Sequence, residues 1–190
     1  ALGRSARNNL EIVQHAPYNN AFDTAFNGFV AGESLCSTAH ANIRGGTQSN
    51  RLDADFDLLS LQSAIEHFHG LMDETGVIPA VFIPKMVVHS IGDMWLVEQV
   101  LKTPQLPGGN FNDINVVNRQ GLSPHLSHYL TDPNAWFVLA DEHRVMYWER
   151  RALGFSNTDD FNTDDALYKC TRRNGSGFDD WRGVWGSQGA

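Results

Sequence analysis

Cysteine is scarce in this 190-residue chain: Cys36 and Cys170 stand far apart, with no C-x-x-C spacing and no histidine placed to complete a metal site with them. That excludes a disulfide-framed scaffold and a cysteine zinc site, and it predicts a reducing compartment. Long apolar runs are also missing. The longest, Val77–Ile83 and Ala135–Ala140, are too short to span a bilayer, and the first residues are polar and arginine-bearing, with no apolar signal core. Positive charge is in deficit, with 14 Lys and Arg against 22 Asp and Glu, a net charge of −8 and a pI near 5.3. No overall field draws the chain to phosphates, so sequence-specific DNA binding is not expected. No internal repeat, low-complexity tract or glycine-rich phosphate loop is present.

What is there suits a folded domain. Apolar residues make up 42% and charged residues 19%, ordinary values for a globular protein. A chain of this length buries well over half of its unfolded surface.

Leu2, Ala6, Leu10 and Val13 recur at helical spacing, so Ala1–Gln14 reads as the interior of a helix ended by Pro17 and Asn19-Asn20. With no initiator Met, the expectation is that the full protein is longer. Phe22–Gly32, aromatic and glycine-punctuated, predicts short strands, and Ala41–Asn50 an exposed loop. Asp57 is a candidate N-cap for a helix carrying Leu58, Leu61, Ile65, Phe68 and Met72, closed at Gly76. Val77–Ile83 predicts a buried strand, and Pro84 the opening of a second helix with Val88, Ile91, Trp95 and 97–101 on its apolar face. Strands are then expected at Ile114–Val117, His125–Tyr129, Trp136–Ala140, Val145–Glu149 and Ala166–Arg173. Trp136–Ala140 and Val145–Glu149 would form a hairpin around 141–144. The sum is a mixed α/β (α+β) protein.

Candidate chemistry is sparse. His67-x-His69 has metal-ligand spacing for a strand, but on a helix the two rings diverge by about 200°. His125 and His128 would point to opposite faces of a strand, and His40 has no nucleophile motif around it. Asp159-Asp160, Asp164-Asp165 and Asp179-Asp180 supply carboxylates of the kind a two-metal site needs, yet sit among turn-forming Asn, Ser, Thr and Gly. A metal-dependent hydrolase using His67, His69 and an Asp pair is the enzyme alternative. Gly45-Gly46 and Gly108-Gly109 read as loop glycines. Arg150, Arg151, Arg172 and Arg173 form a local basic cluster. Trp136, Trp148, Trp181 and Trp185 crowd the C-terminal third. The polar, glycine-rich stretch 172–189 is not expected to bury its two tryptophans alone, which points to a contact with another subunit.

An ordered series of motifs then carries a resemblance. It comprises Ala16-Pro17-Tyr18-Asn19-Asn20-Ala21-Phe22 after a helix, the stretch from Gly32-Glu33-Ser34-Leu35-Cys36 to His40, Gly46-Thr47-Gln48-Ser49-Asn50, and Pro84 opening a helix after an apolar strand. Leu130-Thr131-Asp132-Pro133-Asn134-Ala135-Trp136-Phe137, Arg172-Arg173 to Gly177, and Asp180-Trp181-Arg182-Gly183 complete it. The series resembles the major capsid proteins of tailed bacteriophages, in the family of the Mu-like major head subunit. The resemblance implies the Hong Kong phage capsid fold, with Ala1–Gln14 as the end of a spine helix. Residues 1–56 and 131–190 would be peripheral and 57–130 axial. It implies a non-enzymatic virion subunit, assembled in the host cytoplasm into hexamers and pentamers of an icosahedral shell. Scaffold, portal and decoration proteins are further implied partners, packaged DNA is met only nonspecifically, and no cofactor or membrane is involved. Nothing here matches the family's N-terminal arm or extended loop. Candidate interface residues are Pro104, Pro107, Gly108 and Gly109 near the symmetry axis, and Arg172, Arg173, Trp181, Arg182 and Trp185.

Overall fold

The computed structural model describes residues 2–26, 32–105, 113–159 and 162–190, and its centre is a five-stranded sheet buried on both faces. In chain order the elements are α1 (Leu2–Asn19), β1 (His40–Ala41), β2 (Thr47–Gln48), β3 (Arg51–Leu52) and α2 (Leu58–Gly70). There follow β4 (Pro84–His89), α3 (Met94–Lys102), a 3-10 turn at Val117–Gln120, β5 (Ser123–Leu126) and β6 (Trp136–Ala140). The chain closes with β7 (Val145–Asp159), β8 (Ala166–Phe178) and β9 (Val184–Ser187). The main sheet runs β3-β9-β6-β4-β5, with β4–β5 and β3–β9 parallel and β4–β6 and β6–β9 antiparallel. Its strands come from all three segments of the chain distinguished above.

Strand alternation builds two cores. Trp136, Val138 and Ala140 of β6, with Val87 and Trp185, turn toward Leu61, Ile65 and Phe68 of α2 and Val97, Val100 and Leu101 of α3. Phe137, Leu139, Val88 and Val184 turn the other way, onto Ala21, Leu35, Cys36 and Phe178, with Tyr18 and Phe22 packed beside them.

Several elements differ from the expectations above. Helix α1 runs through Pro17 to Asn19, because a proline in the last turn sacrifices only one backbone bond. Its stripe is half-buried at Ala6, Leu10 and Val13, while Leu2 stays exposed. Residues 20–26 form turns, and the rest of the Phe22–Gly32 expectation, up to residue 31, lies outside the described residues. The 41–50 loop contains the small β1–β2 hairpin, turned at Gly45 and Gly46 with positive φ. Asp57 does cap α2: its carboxylate accepts from the Ser60 N–H at 2.5 Å, and Ser60 Oγ accepts from the Asp57 N–H. The helix stops at Gly70, with Leu71 extended at its C-cap and the Met72 N–H donating to Gln48 Oε1. Gly76 closes a tight turn instead, at φ +72, where a Cβ would come within 2.6 Å of Asn42 Nδ2.

The strand expected at Val77–Ile83 lies at Pro84–His89. The earlier run makes only an isolated antiparallel bridge, Pro79 to Met72, which leaves Val77, Ile78, Val81 and Ile83 exposed, and Pro84 opens a strand rather than a helix. Ile114–Val117 enters a 3-10 turn, where Asn115 Nδ2 donates to the Val100 and Thr103 carbonyls at the end of α3. The expected β6–β7 hairpin does not form, since both edges of β6 are occupied by β4 and β9. Strand β7 pairs with β8 in a separate ribbon that reaches well past both expected strand ends.

Candidate interaction surface

The most exposed regular structure is that ribbon. Its root is fixed: Val145 pairs with Phe178 in the second core, and the Arg144 guanidinium holds Asp179 with contacts of 2.6–3.2 Å. That ion pair keeps the Asp179 carboxyl below its usual range.

From the root outward the ladder has irregularities between Glu149 and Arg151 and between Arg151 and Gly154. On β8, Cys170, Arg172, Asn174 and Ser176 are half-buried and Lys169, Thr171, Arg173 and Gly175 exposed, so one face is covered and the other open. Helix α1 supplies the cover. Pro17 has no N–H for the Val13 carbonyl four residues back, and the Ser176 hydroxyl donates to that carbonyl instead. The proline of the helix thus becomes the point where the ribbon is fastened. On the covered face Arg172 reaches Glu149 at 2.8 Å, and Glu149 also accepts from Tyr147.

Toward the tip, where Leu2 at the start of α1 lines the same hollow as Phe155 and Tyr168, Phe155, Leu167 and Tyr168 are still more than half exposed. A two-stranded ribbon is marginal by itself, so an apolar tip of this kind invites cover.

The nominated residues divide. Arg172 and Arg173 lie on the ribbon, and Pro104 follows α3 with its carbonyl accepting from Asn115 N–H at 3.0 Å. Pro107, Gly108 and Gly109 lie outside the described residues. The expectation that the 172–189 stretch leaves its tryptophans for another subunit is corrected. Trp185 is 3% exposed, 4.8 Å from Trp136 in the first core, because β9 is a strand of the main sheet. Trp181 stacks on the buried His40 ring at 4.0 Å with planes 3° apart. Arg182 folds back on Asp180 at 2.8 Å.

His67 and His69 diverge on α2 as the helical spacing requires, and burial lowers the His67 pKa. Asp179 and Asp180 serve different arginines, and Asp160 lies outside the described residues. Among the described residues no group of three His, Cys, Asp or Glu side chains is arranged to hold a metal, and no helix is long and apolar enough to cross a membrane.

Sequence reasoning missed Asn50. It is fully buried, donates through Nδ2 to the Leu35 and Val184 carbonyls at 2.8 and 2.9 Å, and accepts at Oδ1 from the Ser37 N–H and His40 Nε2 at 2.8 and 3.0 Å. No local pattern marks a residue whose partners lie up to 134 positions away.

No protein-family model and no curated protein matches this chain.

Proposed function

We propose that the protein is a structural subunit of a tailed-phage shell, of the Mu-like major head subunit kind, and acts by associating with copies of itself. The observation that carries this reading is the β7–β8 ribbon: fastened to α1 along one face, open along the other, and ending in uncovered apolar side chains. Such a projection adds little to its own subunit's core and a great deal to a neighbour's. The motif series of the sequence adds support through Arg172 to Gly177, on β8, and Leu130–Phe137, which leads into β6, while its Pro84 member does not hold, since Pro84 opens β4. In this reading α1 is the end of the spine helix, 1–56 and 131–190 are peripheral, and 57–130 is axial. Contacts between unlike surfaces close into rings of five or six when the rotation permits.

Sizing chromatography of the purified protein, followed by electron microscopy of any large fraction, tests the reading. Rings or closed shells are expected; a strict monomer that binds stoichiometric metal refutes it and favours the hydrolase.

A further inference from the structure

The hydrogen bonds of Asn50 settle which nitrogen of the buried His40 ring carries a hydrogen. Asn50 Oδ1 accepts the Ser37 N–H, and Nδ2 donates to the Leu35 and Val184 carbonyls, so the amide has one orientation. Oδ1 lies 3.0 Å from His40 Nε2, and an acceptor there requires a hydrogen on Nε2. In the neutral ring Nδ1 is therefore bare. It is enclosed, has no hydrogen-bond partner among the described residues, and faces Glu33 Oε2 at 3.5 Å. A lone pair and a carboxylate oxygen thus oppose each other across a gap that a single proton turns into a charge-assisted hydrogen bond.

The surroundings divide over a charge on this ring. Burial, the largest influence on a side chain only 1% exposed, opposes it, whereas the Asn50 bond, Glu33 and Asp180 all favour it. The Trp181 indole favours it too: it lies flat on the imidazole, centroids 4.0 Å apart, and a tryptophan face attracts a cation. Asp180 is engaged by Arg182 at 2.8 Å, so of the two acids Glu33 is the one at ion-pair distance from the ring. Glu33 is 36% exposed and keeps contact with water, which gives a proton its route in.

We propose that His40 Nδ1 and Glu33 form a proton-operated clasp, open at neutral pH and closed in acid, when Nδ1 takes a proton from solvent and donates it to Glu33 Oε2. Closing joins the loop at 33–40, through an imidazolium stacked on Trp181, to the turn at 179–183 that connects β8 to β9. The same turn carries Asp179, the partner of Arg144 at the root of the ribbon, so the proton bears on how the ribbon is seated. Glu33 contributes only while the ring is charged. Its contribution is present in acid and is lost as pH rises through the His40 value, which lies below 6.5. Burial still makes acid unfavourable for the fold as a whole, and the clasp lessens that loss. The inference goes beyond the self-association reading and does not depend on it.

Urea titrations of wild type and Glu33→Gln between about pH 7.5 and pH 5, at one protein concentration, test it. At the upper end the variant should match or exceed wild type, because an amide in place of the carboxylate can donate to the bare Nδ1. At the lower end it should fall below wild type, the ratio of the two unfolding constants changing about threefold across the range, as expected for a partner that raises the ring's proton affinity by about one pKa unit. Profiles that run parallel, whether coincident or offset by a constant amount, overturn the clasp, since a contact of purely structural value is lost equally at both ends. A variant that loses less than wild type in acid overturns it as well. Nitrogen-15 NMR of the histidine rings gives a second reading, with the His40 ring recognised by its contact with Trp181: a hydrogen on Nε2 is expected at neutral pH, and one on Nδ1 overturns the proposal.

Discussion

Replacing Asn50 by alanine is the sharpest test of how the body of the fold is held. The amide links three chain segments: the 35–37 loop, His40 at the start of the β1–β2 hairpin, and β9. Removing it strands two carbonyls, one backbone N–H and one imidazole nitrogen in a site closed to water. At about 1 kcal/mol for each group left unsatisfied, the low end of the usual range, the loss is about 4 kcal/mol. That is a large part of the 5–15 kcal/mol typical of a whole domain, and for a chain of this size it lowers Tm by about 8–16 °C. Urea titration followed by tryptophan fluorescence reads it directly, since Trp181 lies on the His40 ring and reports on the network. Asn50→Asp keeps the shape and separates bonding from packing. It turns an oxygen toward the Leu35 and Val184 carbonyls, so the loss should be severe at neutral pH and shrink as acid protonates the new carboxyl. An alanine variant within about 1.4 kcal/mol of wild type, a tenfold change in the unfolding equilibrium, refutes the reasoning.

Gly186→Ala should destabilise by about 1–3 kcal/mol through overpacking, because a Cβ there would come within 2.7 Å of both Cys36 Sγ and the Phe137 ring; an unchanged urea midpoint contradicts this. Burial lowers the pKa values of His40, His67 and His143, so the folded state binds protons more weakly than the unfolded chain, whose histidines titrate near 6.5. Their stabilising contribution is complete above that value and declines as pH falls from 6.5 through the lowered ones. Urea midpoints at pH 7.5, 6.5 and 5.5 should descend, and less steeply in His67→Gln; a level or rising series counts against it.

The sequence was most legible where local chemistry decides the outcome. The Asp57 cap, the α2 stripe and the span of β6 are readable because capping and periodicity need only near neighbours. Legibility failed where a choice between partners decided. The apolar run Val77–Ile83 looks like a core strand in isolation, but the places beside β6 go to Pro84–His89 and to a strand from the far end of the chain. By sequence Trp185 reads as an orphan because the stretch around it is polar and rich in glycine. Yet Gly186 is small so that Phe137 and Cys36 can approach, and Ser187 accepts from Ala54 N–H while donating to the Ala54 carbonyl. Local pattern reads the ribbon as two short strands, since its length is set by long-range pairing and a helix laid along it.

The position of β9 bears on how this chain comes to fold. It is wedged between β3, more than 130 residues earlier, and β6, and it carries Trp185 into the main core. Until Val184–Ser187 arrives, β3 has no partner strand, one edge of β6 stays open, and Asn50 lacks its Val184 acceptor. Closure over so long a stretch is slow, and an open apolar strand is an aggregation edge during the wait. A nascent chain interrupted before Val184 would therefore be marked by stickiness rather than by partial folding, and the sheet would be completed only once synthesis had passed that point.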